Sequence, residues 1–508
     1  MRVYFFPWEH SGQDTGFYYR NFLQWSRLTF GLCLRRLFRK KVHSCIILFT
    51  TLILFVYLRK LWIMYRANYT DDLWIEEDIT STECTNAQLR ELYSIHGYSP
   101  IHRVTRLKTE LYKPGFCVRY NHWAISDVHL KRPSMEIPIL FAVHATPQYF
   151  KHLKRQLETW DGLISLALVI PFSNDRSSMD LFRLQIILET LDRIKYSYDH
   201  SRVALHILFE TKSNKTFECP NLIYNRPSTE TLWDRSYADI MVRDLERLCA
   251  SQLIYPINVA RNVARLGVRT PLFVSGDIEN IFSLDYEQRM RPLAWDFLYA
   301  SDRPRKVLVH RRFEVDSRET VPRTVTALRM IFSRSRAVEF HRYVFLVGHK
   351  IPELGAWLLL HKELDNGTAT LFRTYRYLNE YWEPQYVARN DETLPLHDET
   401  FPFRFRSNTH LGSEMCRAGF TFAVVNDLFT VHVGIKRQEK REFVDFLQRT
   451  SDSGELKEIA SRFIKRLDRQ YPLSKHTCPK LFRDYLWSPN YVEPFKRRPE
   501  SFADKVVN

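Results

Sequence analysis

Asp277 and Glu279 are the residues of this 508-residue chain whose types and spacing point most directly to chemistry. They sit in TPLFVSGDIENIFS, Thr270–Ser283, where a short apolar run ends in Asp-Ile-Glu. At the end of a strand, residues two apart face the same way, so both carboxylates can reach one point beyond a sheet. Oxygen ligands of that kind suit Mn²⁺ or Mg²⁺, and such an ion would neutralise a leaving diphosphate. A solvated acidic turn after a buried strand is the plainer alternative. Just upstream, YPINVARNVARLGVRT places Arg261 and Asn262 on a helix leading into this strand, where a guanidinium could hold a phosphate or a carboxylate. His432 lies in the apolar FTVHVGI, where an imidazole is either a metal ligand or a satisfied core histidine.

Such residues need a sheet edge to stand on. Four short apolar runs bounded by polar residues read as buried strands: Ile137–Val143, Ser165–Phe172, Val203–Glu210 and Thr270–Asp277. Helical stretches, Tyr149–Glu158, Met179–Leu191 and Tyr255–Leu266, alternate with them. That order predicts an α/β domain of three layers with a largely parallel sheet, whose ligands bind at the carboxyl ends of the strands. No G-x-G spacing occurs, and the P-loop, G-x-S-x-G and H-E-x-x-H patterns are missing, so the common dehydrogenase, NTPase, hydrolase and zinc-protease readings lose their support.

Composition narrows the class further. Hydrophobic residues make up 45% and charged residues 26%, a globular balance, and the net charge is +16. Eight basic residues against two acids precede residue 59, and the remaining excess is diluted over the rest as solvated surface, so nucleic acid is not an expected partner. Seventeen uncharged residues, Val42–Leu58, follow five bases within Arg35–Lys41. As a helix they cover roughly 25 Å, enough for a thin bilayer when flanking bases snorkel. The basic side stays cytosolic, which predicts a type II anchor with all that follows luminal. The sequons at Asn68, Asn214 and Asn366 and six cysteines lie on that luminal side. Six cysteines allow fifteen pairings, and none forms CxxC spacing.

Several segments together resemble glycosyltransferase family 49. ILFAVHAT (Ile139–Thr146) and WDGLISLALVIP (Trp160–Pro171) resemble its first strands, with Leu163 where the family has proline. YPINVARN and the Asp-Ile-Glu strand follow in order, then YWEPQYV (Tyr381–Val387), HDETFPF (His397–Phe403) and CRAGFTFAVVNDLFTVHVGIK (Cys416–Lys436). The resemblance spans roughly residues 137–440.

It implies a GT-A fold and inverting transfer of a sugar, glucuronate or N-acetylglucosamine, from a UDP donor to a glycan or glycoprotein acceptor in the Golgi. Mn²⁺ would be held by Asp277, Glu279 and His432, with Arg261, Asn262 and His144 toward the donor. Inversion needs a general base opposite the diphosphate. Asp398 and Glu399 are the first candidates and the acceptor-side Glu383 the next. The implied organisation is a cytoplasmic tail 1–41, an anchor 42–65, a stem 66–136, a catalytic domain 137–440 and a packed extension 441–508, with a homodimer left open. Three departures stand out. Glu279 is longer than the usual aspartate, PFRFRSNTHLGSEM with Arg404 and Arg406 replaces a glycine-rich segment, and Ile435 stands where a second histidine is usual. They motivate an alternative, a catalytically silent glycan-binding protein of the same fold.

Overall fold

The computed structural model describes residues 102–171, 178–197, 199–211, 219–227, 255–299, 305–359, 367–439 and 454–479. The expected tail, anchor and sequons, with Cys84 and Cys249, lie outside these residues. Among the described residues no helix is long and apolar enough to cross a membrane.

The strands are β1 (His102–Leu107), β2 (Glu110–Lys113), β3 (Phe116–Trp123), β4 (Leu140–Ala145), β5 (Leu163–Val169), β6 (Val203–Glu210), β7 (Leu222–Pro227), β8 (Leu272–Ser275), β9 (Ile281–Phe282), β10 (Lys306–Val315), β11 (Ala337–Glu339), β12 (Leu371–Tyr375), β13 (Gln385–Arg389) and β14 (Thr421–Val433). The helices that matter most to the site are α1 (Lys151–Thr159), α2 (Ser178–Ser197), α3 (Ile257–Leu266), α4 (Tyr286–Tyr299), α5 (Thr409–Arg417) and α6 (Glu455–Gln470). Ten strands run in the order β12-β14-β10-β13-β8-β4-β5-β6-β3-β2, with β11 beside β10 and β9 beside β14.

Period-two alternation builds the layers. In β4, Leu140 and Ala142 join one apolar cluster while Phe141 and Val143 join another on the opposite face. The helix α4 presents Tyr286, Met290, Ala294 and Leu298 to the second cluster at four-residue spacing, and α2 adds Leu184, Leu188 and Leu191 there. The first cluster is closed by Val259, Ala260, Val263 and Ala264 of α3 and by Leu411 and Met415 of α5. Each fully buried Leu, Val or Phe in these layers contributes about 1.5–3 kcal/mol.

Two expectations change. The sheet is mixed rather than largely parallel: β8, β4, β5 and β6 run parallel, as do β10 and β14, whereas β13 separates the two groups antiparallel to both neighbours. Antiparallel strands also form the two edges, where one face can remain wet. The second change concerns the stretch assigned to the stem, in which β2 and β3 extend the central sheet. The pairing register of β3 with β6 shifts between Arg119 and Trp123, and Asn121 takes a φ of 51°, so the local alternation that marks a strand is broken in the sequence. Cys117 is fully buried and bridged to Cys219, and Cys416 is bridged to Cys478 beyond α6.

The Cys117–Cys219 bridge spans 102 positions of sequence. Cys219→Ser is expected to lower stability to urea by about 2–5 kcal/mol, because the unfolded chain regains that loop's entropy. Unchanged stability would mean that β3 holds its place without the bridge.

Candidate active site

The segment that carries the Asp-Ile-Glu triplet is gripped before it is functional. Leaving β8, it crosses the sheet edge past β13 and β10 and pairs with β14, Ile281 opposite Val431 and Phe282 opposite Thr430. From α1 the buried Gln156 amide donates to the carbonyls of Ile278 and Asn280, both at 2.7 Å. Beneath it, Phe282 packs against Trp160, Phe141 and Tyr286 with ring centroids 4.4, 5.0 and 4.8 Å away. The Tyr286 hydroxyl lies 2.8 Å from His310 Nδ1 of β10, so helix, crossing segment and strand are one packed unit.

Asp277 is thereby held in a web of donors. Its Oδ2 accepts from Arg312 Nη2 at 2.5 Å and from the side-chain amides of Asn280 and Gln385, each at 3.3 Å. Gly276 leaves room for the Phe141 ring, from which a Cβ there would lie 3.1 Å, while the Gln385 amide at 3.5 Å would be in ordinary contact. Burial alone would push the Asp277 carboxyl up, but the Arg312 and Arg261 guanidiniums pull it down to about 2. Arg261 is itself lowered by burial and supported by Asp277 and Glu383. Burial raises the Glu383 carboxyl, with Arg261 and Arg312 opposing that rise and Asp277 adding to it. Asp277, Arg261, Arg312 and Glu383 therefore feel one another across one site.

A second buried group lies behind Arg312. Its guanidinium rests 3.7 Å over the Phe340 ring, which stacks on His341 and packs edge-on against His349 and His432. His341 Nδ1 lies 3.2 Å from His349 Nε2, and burial drives both imidazoles well below their ordinary value. Glu314, two residues beyond Arg312 in β10, is fully buried with an oxygen 4.0 Å from His341 Nε2. Burial pushes its carboxyl up to about 8 against the Lys436 and Arg312 charges, so it is mostly protonated at neutral pH.

The expected residues divide into those the fold gathers and those it uses elsewhere. His144 faces the site: its Nδ1 lies 2.8 Å from the Tyr255 hydroxyl, and burial with Arg261 nearby lowers it to about 3. Glu279 lies near that same Tyr255. His432 contacts Phe340 and has Nδ1 3.3 Å from the Gly434 carbonyl. Asn262 instead staples α3 to the 397–399 loop, donating to the His397 carbonyl and to Glu399 and accepting from His397 N–H. Glu399 is further held by Tyr112 at 2.6 Å and Lys113 at 2.7 Å. Asp398 accepts from Thr400 and faces Arg466 of α6 at 3.4 Å. Arg406 donates to the Glu380 carbonyl and stacks on Tyr381, in a segment where Arg404 and Arg406 adopt φ of 67° and 52°. Arg312, Gln385 and Gln156 were not legible as site residues. The one local signal is an Arg311-Arg312 pair inside VLVHRRFEV, between His310 and Glu314 in a buried strand.

Among the described residues no group of three or more His, Cys, Asp or Glu side chains is drawn together closely enough to hold a metal ion. More directly, the Asp277 oxygen such an ion would use is engaged by three donors, one of them cationic. The donor set as placed does not fit a divalent cation.

An acid and two guanidiniums at the carboxyl edge of a mixed α/β sheet suit a transferase acting on an anionic donor. The model of the family described as glycosyl-transferase for dystroglycan matches residues 138–472, and the chain belongs to this glycosyltransferase family. Curated relatives include β-1,4-glucuronyltransferase 1 of Mus musculus, 22% identical over 74% of this chain and 86% of its own, and that of Danio rerio, 23% identical over 72% and 78%. Among solved structures, GalNAc-T7 with UDP, GalNAc and Mn²⁺ aligns at a TM-score of 0.33 and 10% identity, over 71% of this chain and 59% of that one, less than two thirds of it. S. aureus TarS with UDP-GlcNAc aligns at 0.27 and 10%, over 70% and 79%.

Glu314 supplies a pH test. Its folded value of about 8 lies above the ordinary 4.5, so the folded state holds the extra proton and stability falls as pH rises between those values. Glu314→Gln is expected to lose less stability than the parent between pH 5 and pH 8 in urea titrations. The difference between the two profiles cancels the other buried groups, and parallel profiles would refute the protonated carboxyl.

Proposed function

We propose that the chain transfers a sugar from a UDP donor to a glycan hydroxyl with inversion, on a GT-A-like domain. The observation that carries this reading is the Asp277–Arg312 ion pair at one sheet edge, with Arg261 and Glu383 within electrostatic reach of it, in a glycosyltransferase family member. The name of the curated relatives makes glucuronate the first donor to test and N-acetylglucosamine the second. A type II Golgi membrane protein with a luminal catalytic part, acting on glycoprotein glycans, is the setting in which such a donor and acceptor meet.

In the step itself, the acceptor oxygen attacks the anomeric carbon as that carbon's bond to the β-phosphate oxygen breaks. UDP leaves with the bonding electron pair, and the acceptor's proton passes to a carboxylate. Guanidiniums are matched to the phosphate oxygens where negative charge grows. For the base, Glu383 replaces Asp398 and Glu399 as the first candidate. The latter two are committed to Thr400 and Arg466 and to Tyr112, Lys113 and Asn262, whereas Glu383, bonded to Asn408, lies within electrostatic reach of Arg261, Arg312 and Asp277 and is raised by burial to a more basic carboxyl. A silent glycan-binding protein is the second reading, favoured by the Arg312 clamp on Asp277.

With the full-length chain in detergent and a donor panel, Glu383→Gln should lower kcat by about 10²–10⁴ with little change in the donor KM. The product should be the β-anomer by NMR. An α-product, or a Glu383→Gln rate close to the parent's, would remove this mechanism. UDP binding without turnover on any donor or acceptor would establish the silent reading.

A further inference from the structure

We propose that Arg312 stands in for a divalent cation: its guanidinium supplies the fixed positive charge that the departing diphosphate needs, and the transfer runs without a bound metal. This rests on the UDP-donor reading above and deepens it.

The geometry is that of a built site. Arg312 Nη2 meets Asp277 Oδ2 at 2.5 Å, and the same oxygen accepts from Asn280 and Gln385. A carboxylate oxygen offers about two lone pairs, so three donors saturate it. An ion arriving there must displace a charge-assisted bond that is stronger than an ordinary one. Approach from the other oxygen would bring two more positive charges beside Arg312 and Arg261, where like charges repel.

Arg312 is packed in place. Its side chain keeps only 7% of its exposure, whereas that of Asp277 keeps 30% and opens toward solvent. Its guanidinium lies on Phe340, whose backbone N–H is bonded to the Arg312 carbonyl at 3.1 Å, so ring and cation are registered by the same strand. Its backbone is inside β10, paired with β14 at Thr430. A metal site instead needs carboxylates that present free lone pairs to a common point. The arginine is a planar fork with five donors, of which the Asp277 contact uses one nitrogen. Arg261 brings a second guanidinium, anchored through Nη1 to the Ser407 carbonyl at 2.8 Å. Two anchored guanidiniums supply two positive charges, the same count as one divalent ion, in a shape that fits phosphate oxygens.

The test uses full-length protein in detergent. UDP binding is measured by calorimetry in EDTA and in Mn²⁺, and free Mn²⁺ is followed by EPR with and without UDP. The expected result is a UDP Kd that agrees in the two buffers within about twofold, no uptake of Mn²⁺, and sugar transfer that persists in EDTA. Arg312→Gln should weaken UDP binding at least about tenfold, and Arg312→Lys, which keeps the charge without the fork, should recover part of it. Circular dichroism melting checks that both variants fold, and the EDTA comparison on the parent decides the matter if neither does. UDP binding that tightens about tenfold or more with Mn²⁺, or Mn²⁺ uptake by the parent, would overturn the inference while leaving the donor reading intact. UDP binding in neither buffer would overturn the donor reading itself, and the inference with it.

Discussion

The crossing of residues 277–283 is the constraint on which the site depends. The chain leaves β8, passes the ends of two strands and adds a short ladder to β14, and it is held there because Gln156 takes two of its carbonyls and Phe282 fills the aromatic core below. Buried carbonyls left without donors would each cost about 1–3 kcal/mol. Gln156 therefore acts as a positioning residue for Asp277 although it lies outside the site. The same packing joins α1, α4 and β10 into a rigid base, which is what a preorganised transfer site requires.

Strand direction explains which residues can meet there. With β13 antiparallel between β8 and β10, the carboxyl ends of β4, β8, β10 and β14 and the amino end of β13 all come to one edge. That brings His144, Asp277, Arg312, Glu383 with Gln385, and His432 to a common side of the sheet from five separate stretches of chain. Behind them the buried Glu314, His341 and His349 stay largely uncharged at neutral pH, so the cationic side of the site is set by Arg312 and Arg261. A buried ion pair of this kind costs desolvation that its Coulomb gain only partly offsets. Its retention at the site is more easily understood as charge placement than as stabilisation.

The engagement of Asp398 and Glu399 with distant elements follows from the same physics. Both lie in a loop that must be attached to α3, to the β2 edge and to α6, and carboxylates are effective fasteners for that purpose. Their side chains are spent on amides, a phenol and cations from elements distant in sequence. A neighbouring pair of acids in a loop reads as chemistry only until its partners are known. Glu383, ranked behind them on the sequence, is the one whose carboxyl burial raises while it feels Arg261, Arg312 and Asp277.

What the sequence determined by itself was local: β4, β5, β6 and β8 from their apolar runs, the helices between them from their spacing, the Asp277 and Glu279 pair at a strand end, and the family through ordered segments. These are legible because period, turn chemistry and motif each need only a few neighbouring residues. Tertiary structure alone decided the antiparallel insertion of β13, the place of β3 in the sheet, the cysteine pairs and the clamp of Arg312 on Asp277. Arg312 is 35 residues from its carboxylate and Gln385 is 108. Which side chain faces a carboxylate across such distances is set by strand order and register, and no short-range pattern carries that information.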